Sequence, residues 1–292
     1  MSRLFEVISG MNGEHRPSKN GASTVVISSE QGGDLPAPNE VVAKPVEVLE
    51  DHAAPLQISP DSRLVAWSDP HSLGAEKFRA LVTRLDHVRK QSKLRSFQVT
   101  SSVINEGKTL VAGNVAITLA KYSGSKTLLV GGDLHRPTLA SLFGLSELVG
   151  IRQWWSGSEQ GLGRFVHRLD GMPLWFLSAG EAFDQPSDIL RSGRFQKAFS
   201  DVGAQFEWIV VDSTPMLPIV DVNLWSRLLD GTLLVVREGQ TRIKALERGL
   251  KALDHPKLIG VVVNDATEFD QLSYEGQYYG GASRQEKAAI KR

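Results

Sequence analysis

The run Ser102-Val-Ile-Asn-Glu-Gly107-Lys108-Thr109 sets a lysine and a hydroxyl side by side after a glycine, five positions beyond a serine. That spacing fits the phosphate-loop template G-x-x-x-x-G-K-[ST], with Ser102 in place of the first glycine. The chemistry is phosphate capture: backbone N–H groups wrap a β-phosphate, and the helix that follows adds the positive end of its dipole. Lys108 then reaches the β- and γ-phosphates of ATP, and the Thr109 hydroxyl takes Mg2+. The candidate ATP contacts along the loop are Ser102, Asn105, Glu106, Gly107, Lys108, Thr109 and Leu110. A plain turn capping a core helix would carry the same Glu-Gly-Lys-Thr letters, so the context has to decide. Phe97, Val99 and Thr100 predict a strand before the loop, and Leu110, Val111, Val115, Ile117 and Leu119 predict a largely buried helix after it.

Three more polar stations follow apolar runs. Asp212 closes Trp208-Ile-Val-Val, where a Walker B carboxylate holds Mg2+ through water. Asp133 follows Leu128-Leu-Val-Gly-Gly and is followed by Arg136-Pro137, and Asn264 and Asp265 end the last apolar run. Singly, each is an ordinary strand-ending turn residue. Together on one edge beside a phosphate loop they predict a site: Lys108, Asp133 and Asp212 for the chemistry, Thr109 and Asp212 for the metal, Asn264 for the nucleotide.

The elements that must carry these residues are legible as an alternation. Apolar runs at Thr127–Val130, Leu174–Leu177, Trp208–Val211, Leu233–Val236 and Ile259–Val263 read as strands. Helical patterns lie between them near Leu139–Phe143, Asp188–Phe199, Asp221–Leu229 and Ile243–Leu253. Phe78, Leu81, Val82, Leu85 and Val88 predict an amphipathic helix ahead of the loop, with Glu76, Arg79 and Arg84 off its apolar stripe. Continuous apolar strands alternating with helices imply an α/β fold, a doubly wound, mostly parallel sheet covered on both faces. Ligands of such sheets bind at the carboxyl ends of the strands.

Composition narrows the classes. The 292 residues carry 33 basic and 33 acidic side chains, and this neutral balance offers no support for a nucleic-acid partner. The absence of cysteine excludes disulfides, thiolate catalysis and Cys-ligated metals, and it suits a reducing cytoplasm. No stretch approaches the roughly 20 apolar residues of a membrane span, so the expectation is a cytoplasmic chain that reaches the membrane through a partner. Seven of the 13 prolines lie in the first 70 positions. The expected division is a largely disordered arm over 1–62, an ATP-binding domain over 63–268 and a flexible tail over 269–292. Three of the four tyrosines, Tyr274, Tyr278 and Tyr279, lie in that tail among Gly, Gln, Ser and Glu. Trp154 and Trp155 read as core or lid packing.

These blocks resemble the bacterial tyrosine kinases (BY-kinases) of the capsular exopolysaccharide family, in their stand-alone cytoplasmic form. The family's TSxxPGEGK[ST] loop is matched by Thr100 to Thr109, its LLIDADLRRP signature by Leu129-Val-Gly-Gly-Asp-Leu-His-Arg-Pro137 with Leu142-Phe-Gly-Leu145 after it, and its IIDTPPVLPVTDA block by Val210 to Val222. Pro186–Leu190, Leu233–Arg242 and Gly260–Asn264 complete the series in order. The resemblance, over about Glu76 to Tyr279, implies a P-loop NTPase with the deviant Walker A′ arrangement shared with MinD-like (SIMIBI) proteins. It implies a protein-tyrosine autokinase using ATP and Mg2+, with Tyr274, Tyr278 and Tyr279 as phosphoacceptors and Glu76 and Arg79 as contacts in a ring-shaped homo-oligomer. The implied partners are a membrane polysaccharide co-polymerase that activates the kinase and a tyrosine phosphatase that opposes it, in control of polysaccharide polymerisation and export.

The departures are specific. Gly131 replaces the first of two Walker A′ aspartates, leaving Asp133; general-base help of that kind is worth about 10²–10⁴-fold. Asn105 and Ile104 replace Gly and Pro in the loop, and Asn tolerates φ > 0 better than other non-glycine residues. Val82 stands where the ring motif has its third residue, an arginine, with Arg84 two places on. One alternative function is therefore a catalytically weak or inactive ATP-binding regulatory subunit of the same machinery. Another is a ParA/MinD-type ATPase, against which stand Val103, where those proteins carry an extra lysine, and the tyrosine tail.

Overall fold

The computed structural model describes residues 53–266, apart from 57, 158–159, 183–184, 218–219 and 254–256. The N-terminal residues before 53 and the tail with Tyr274, Tyr278 and Tyr279 lie outside the described residues.

In chain order the elements begin with β1 (Ala53–Ala54), α1 (Val65–Ser68), α2 (Leu73–Ser92), β2 (Ser96–Ser101), α3 (Lys108–Lys121), β3 (Thr127–Gly131), α4 (Leu139–Leu142) and α5 (Ile151–Trp155). After a 3-10 turn at Leu162–Phe165 come β4 (Val166–Leu169), β5 (Leu174–Leu177), α6 (Pro186–Arg191), α7 (Gly193–Gly203), β6 (Trp208–Asp212), α8 (Asp221–Leu228), β7 (Gly231–Arg237), α9 (Ile243–Ala252) and β8 (Leu258–Asn264). The sheet order is β1-β4-β5-β3-β6-β2-β7-β8. From β5 to β8 every pairing is parallel, whereas β4 runs antiparallel to β5 and parallel to β1.

The strands are apolar on both faces because both faces are covered. Successive side chains of a strand point to opposite sides, and the core divides accordingly. Phe97, Val99, Leu129, Trp208 and Val210 pack with Val111, Val115 and Leu119 of α3. Leu128, Val130, Ile209 and Val211 pack on the other side with Phe195, Phe199 and Trp225 of α7 and α8. Trp154 belongs to this second layer, edge-on to Phe195 at 6.0 Å with the Arg194 guanidinium 4.4 Å over its ring.

The structure departs from the sequence pattern at three places. The helix expected over Asp188–Phe199 is two, parted at Ser192, whose backbone is extended (ψ 133°) and whose hydroxyl accepts the N–H of Phe195 to cap α7. Strand β4 breaks the apolar pattern because its two central residues are the polar His167 and Arg168. Residues 53–62, assigned by composition to the arm, include a strand that joins the sheet, and Leu56 and Ile58 pack against the first core layer.

That leading segment is tied to the helix behind the phosphate loop. Leu64 is fully buried, and a side chain at Gly113 of α3 would come within 2.8 Å of it. Asn114, also fully buried, accepts the N–H of Ala66 (3.0 Å) and donates to the carbonyls of Arg63 (3.1 Å) and Leu110 (3.0 Å).

Candidate functional site

The loop between β2 and α3 turns because two of its residues take left-handed backbone angles. Asn105 has φ 66° and Gly107 φ 97°, so the residue replacing the family's glycine adopts the conformation its short polar side chain permits. At Gly107 there is no space for a side chain either: a Cβ would lie 2.2 Å from Asn264 Nδ2. Among the described residues no acceptor takes up the backbone N–H groups of Asn105, Glu106, Gly107, Lys108 and Thr109. Free N–H groups converging at a helix start form an anion cradle.

Lys108, the first residue of α3, reaches across the strand ends. Its Nζ lies 3.0 Å from Asp133 Oδ2, 3.4 Å from Asp212 Oδ1 and 3.3 Å from Thr109 Oγ1. The parallel register explains the meeting: Gly131 of β3 pairs with Asp212 of β6, so Asp133 and Asp212 emerge at one level of the same edge. Burial opposes the Lys108 charge, but Asp212 and Asp133 outweigh it and hold the ammonium above the ordinary lysine pKa. Asp212 is pushed up, chiefly by burial; Lys108 and a hydrogen bond from the Thr109 hydroxyl offset part of this, and the charge of Asp133 adds to it. Asp133 is fixed from its other oxygen by the N–H of Arg136 (3.0 Å).

A cleft of about 990 Å³ opens over these groups. Asn105, Gly107, Lys108, Thr109, Leu110, Asp133 and Asn264 line it, as do Arg63, His135, Arg136 and Arg237. Ser102, Glu106 and Asp212 do not line it. Ser102 is buried under the loop, and its hydroxyl meets no partner among the described residues. Glu106 turns inward, accepting the N–H of Val103 (3.0 Å) and the Thr241 hydroxyl, while its carbonyl accepts from Asn264 Nδ2 (3.0 Å). Arg237 bridges Asp265 and the carbonyl of Asn105. The ends of β7 and β8 thus grip the phosphate loop. Arg237 and Thr241 lay inside the matched block Leu233–Arg242, which was their only signal in the sequence.

Gly131 is the site's missing carboxylate. A cavity of about 10 Å³, lined by Gly131, Asp133, Ser178, Ala179 and Asp212 among others, remains there, room for about one water. A Cβ at 131 would lie 3.0 Å from the backbone nitrogen of Ala179, which leaves little room for a side chain there. Glu76 and Arg79 lie on α2, where Arg79 Nε donates to Glu76 (2.9 Å) and Nη1 to the carbonyl of Pro70 (2.7 Å).

The cradle and the lysine fit a nucleotide's phosphates. Among the described residues no group of three or more His, Asp or Glu side chains could hold a metal by itself. A Mg2+ held by the Thr109 hydroxyl and Asp212 would take its remaining ligands from phosphate and water, which is how this ion is ordinarily bound.

A glycine-turned phosphate loop at the carboxyl edge of a largely parallel sheet, with its lysine between two strand-end aspartates, defines a P-loop nucleotide-binding protein. No family model matches the chain. It is 26% identical over 219 residues to the tyrosine-protein kinase YwqD of Bacillus subtilis, covering 74% of this chain and 91% of that one. Identity to the tyrosine-protein kinase CpsD of Streptococcus agalactiae is 25% over 217 residues, covering 73% and 92%. Among solved structures the BceF tyrosine kinase domain superposes with a TM-score of 0.62 at 26% identity, covering 68% of this chain and 81% of that one. Over about three quarters of its length the chain is thus similar to bacterial tyrosine-protein kinases.

Proposed function

We propose that this chain is an ATP-dependent protein-tyrosine autokinase that regulates capsule or exopolysaccharide polymerisation and export. The observation that carries the proposal is the Lys108 ammonium held within 3.0 and 3.4 Å of Asp133 and Asp212 beneath a loop of free N–H groups. Phosphoryl transfer depends mainly on positioning and charge neutralisation, and these are the groups present. The loop N–H groups and Lys108 bind the phosphates, Asp133 faces the transferring group, and Thr109 with Asp212 holds Mg2+, which neutralises charge developing on the phosphate oxygens. Tyr274, Tyr278 and Tyr279 accept phosphate in a homo-oligomer contacted through Glu76 and Arg79. A membrane co-polymerase recruits and activates the protein at the inner face of the membrane, and a tyrosine phosphatase resets it.

The test is phosphosite mapping by mass spectrometry after incubation with Mg-ATP and the activator segment, beside a Lys108→Ala control. Phosphate on the three tail tyrosines that vanishes in the control is the expected result. One observation favours a second reading: Gly131 offers no carboxylate and the backbone of Ala179 leaves little room for one, which suits a regulatory subunit controlled by ATP occupancy. ATP binding without phosphate on any tyrosine would select it.

A further inference from the structure

The sheet ends on one side in β1, two residues long, and on the other in β8, seven residues long and paired with β7 along one edge only. Strand β8 reads Leu-Ile-Gly-Val-Val-Val-Asn, with neither charge nor proline. Strands β2, β3 and β6 are buried end to end, but every residue of β8 keeps some exposure, and Val263 is 39% exposed. The main chain has an open side as well. The Asn264 carbonyl accepts the N–H of Glu238 and so faces β7. Alternation along the strand turns Val262 the same way and turns the N–H and C=O of Val261 and Val263 outward, where no strand among the described residues meets them. Proteins ordinarily guard such an edge with charge, proline or a bulge, because it is a template for another strand. The one irregularity here, a register shift beside Leu233, lies at the start of β8, ahead of Val261. Charge stands only at the two ends and is opposite in sign: exposed Lys257 precedes the strand and exposed Asp265 follows it. Lys257 donates to the carbonyl of Leu229 (2.9 Å) and Asp265 meets Arg237, yet an ammonium has three donors and a carboxylate about four acceptor positions.

We propose that β8 is the contact between two copies of this chain, paired antiparallel about a two-fold axis at Val261, so that two eight-stranded sheets become one. The orientation follows from the charges. An antiparallel copy sets Lys257 toward Asp265 at both ends, whereas a parallel copy sets lysine beside lysine and aspartate beside aspartate. A two-fold contact is also self-complementary, which a strand without a directional charge pattern between its ends permits. Val261 exchanges N–H···O bonds with its own counterpart, and the outward groups of Val263 meet the first residues of the other strand. This surface does not include Glu76 or Arg79, and it stands independently of the kinase reading.

The chain has no cysteine, so single cysteines in the full-length protein report the register. Directly opposed residues of a hydrogen-bonded antiparallel pair have Cα atoms about 5.5 Å apart, within the span of about 4.4–6.8 Å that a disulfide bridges. Under a mild oxidant, Val261→Cys is expected to yield a crosslinked dimer. Val263→Cys, whose two copies lie about 13 Å apart along the strand, is expected to yield about tenfold less or none. Sedimentation equilibrium of the wild type is expected to show a concentration-dependent dimer. Val261→Pro removes an outward N–H, which an edge strand tolerates, and should weaken that dimer about tenfold or more with an unchanged far-UV circular dichroism spectrum. Lys257→Glu, which leaves the strand intact and sets like charges at both ends, should weaken it about fivefold. A wild type that stays monomeric at its highest soluble concentration overturns the proposal, and if its Val261 and Val263 amides resist hydrogen exchange, the edge is covered by the chain's own remaining residues. Equal crosslinking at both cysteine positions, or a dimer indifferent to both Val261→Pro and Lys257→Glu, overturns it in favour of contact through another surface.

Discussion

Replacing Lys108 by methionine tests the electrostatics of the site without any ligand. The ammonium stands 3.0 Å from one carboxylate and 3.4 Å from another, and Asp212 is only 1% exposed. At an effective dielectric of about 20 each contact is worth roughly 5 kcal/mol of gross attraction, against which stands the cost of burying the three charges. Removing the cation leaves two carboxylates facing each other in a poorly solvated site, for which a loss of about 3–5 kcal/mol at neutral pH is expected. For a domain of this size that lowers Tm by roughly 6–20 °C. The pH dependence carries the sharper signature. Asp212 has its folded pKa above the unfolded value, so the folded state binds the proton more readily and stability falls as pH rises through that window. Without Lys108 the folded pKa climbs further and the window extends upward. The deficit should therefore be small well below the ordinary aspartate pKa of about 3.9, where Asp212 is protonated both folded and unfolded, and grow to a plateau above the raised pKa. Urea melts of both proteins at a series of pH values measure it. A deficit that does not vary with pH, or one below about 1 kcal/mol at neutrality, would refute the reasoning.

Three further outcomes are expected. Gly107→Ala must place a side chain at φ 97° and push Asn264 from its bond to the loop; ATP affinity measured by calorimetry should fall about tenfold or more, as roughly 1.4 kcal/mol of strain dictates. Asn114→Leu keeps the volume but strands the N–H of Ala66 and the carbonyl of Arg63, costing about 2–4 kcal/mol in urea unfolding, and an unchanged midpoint would count against the staple. Gly131→Asp adds a third carboxylate beside Asp133 and Asp212 and crowds Ala179, so it should lose about 2–4 kcal/mol at neutral pH, whereas Gly131→Ala, which adds only bulk, should lose about 1 kcal/mol.

The interior strands were legible because a sheet covered on both faces writes itself as unbroken apolar runs, and Lys108, Asp133 and Asp212 because each sits at a fixed offset from such a run. What escaped has a common cause. Strand β4 carries polar residues at its centre, and β1 is only two residues long, too short for any period. The Glu106–Thr241 bond and the His135–Asp221 pair join residues far apart in the chain, and neither partner's type announces the other. The bonds of Asn114 to Arg63 and Ala66 likewise span about 50 residues of chain, and no spacing rule connects them. The left-handed angle at Asn105, by contrast, was anticipated, because the loop's geometry restricts the residue types it tolerates.

The staple at Asn114 also gives the molecule a line of force. Tension on the leading segment meets β1 in the sheet and the packing of Leu56 and Ile58 first, then the Arg63 carbonyl and the Ala66 N–H, both bonded to Asn114, while Leu64 resists extraction from its place against Gly113. Helix α3 runs from Lys108 to Lys121, with Asn114 at its middle and Lys108 at its start. A pull on the N-terminal segment is therefore delivered along a lever whose tip is the lysine between the two aspartates, and a displacement there of less than an ångström would change which of them it touches.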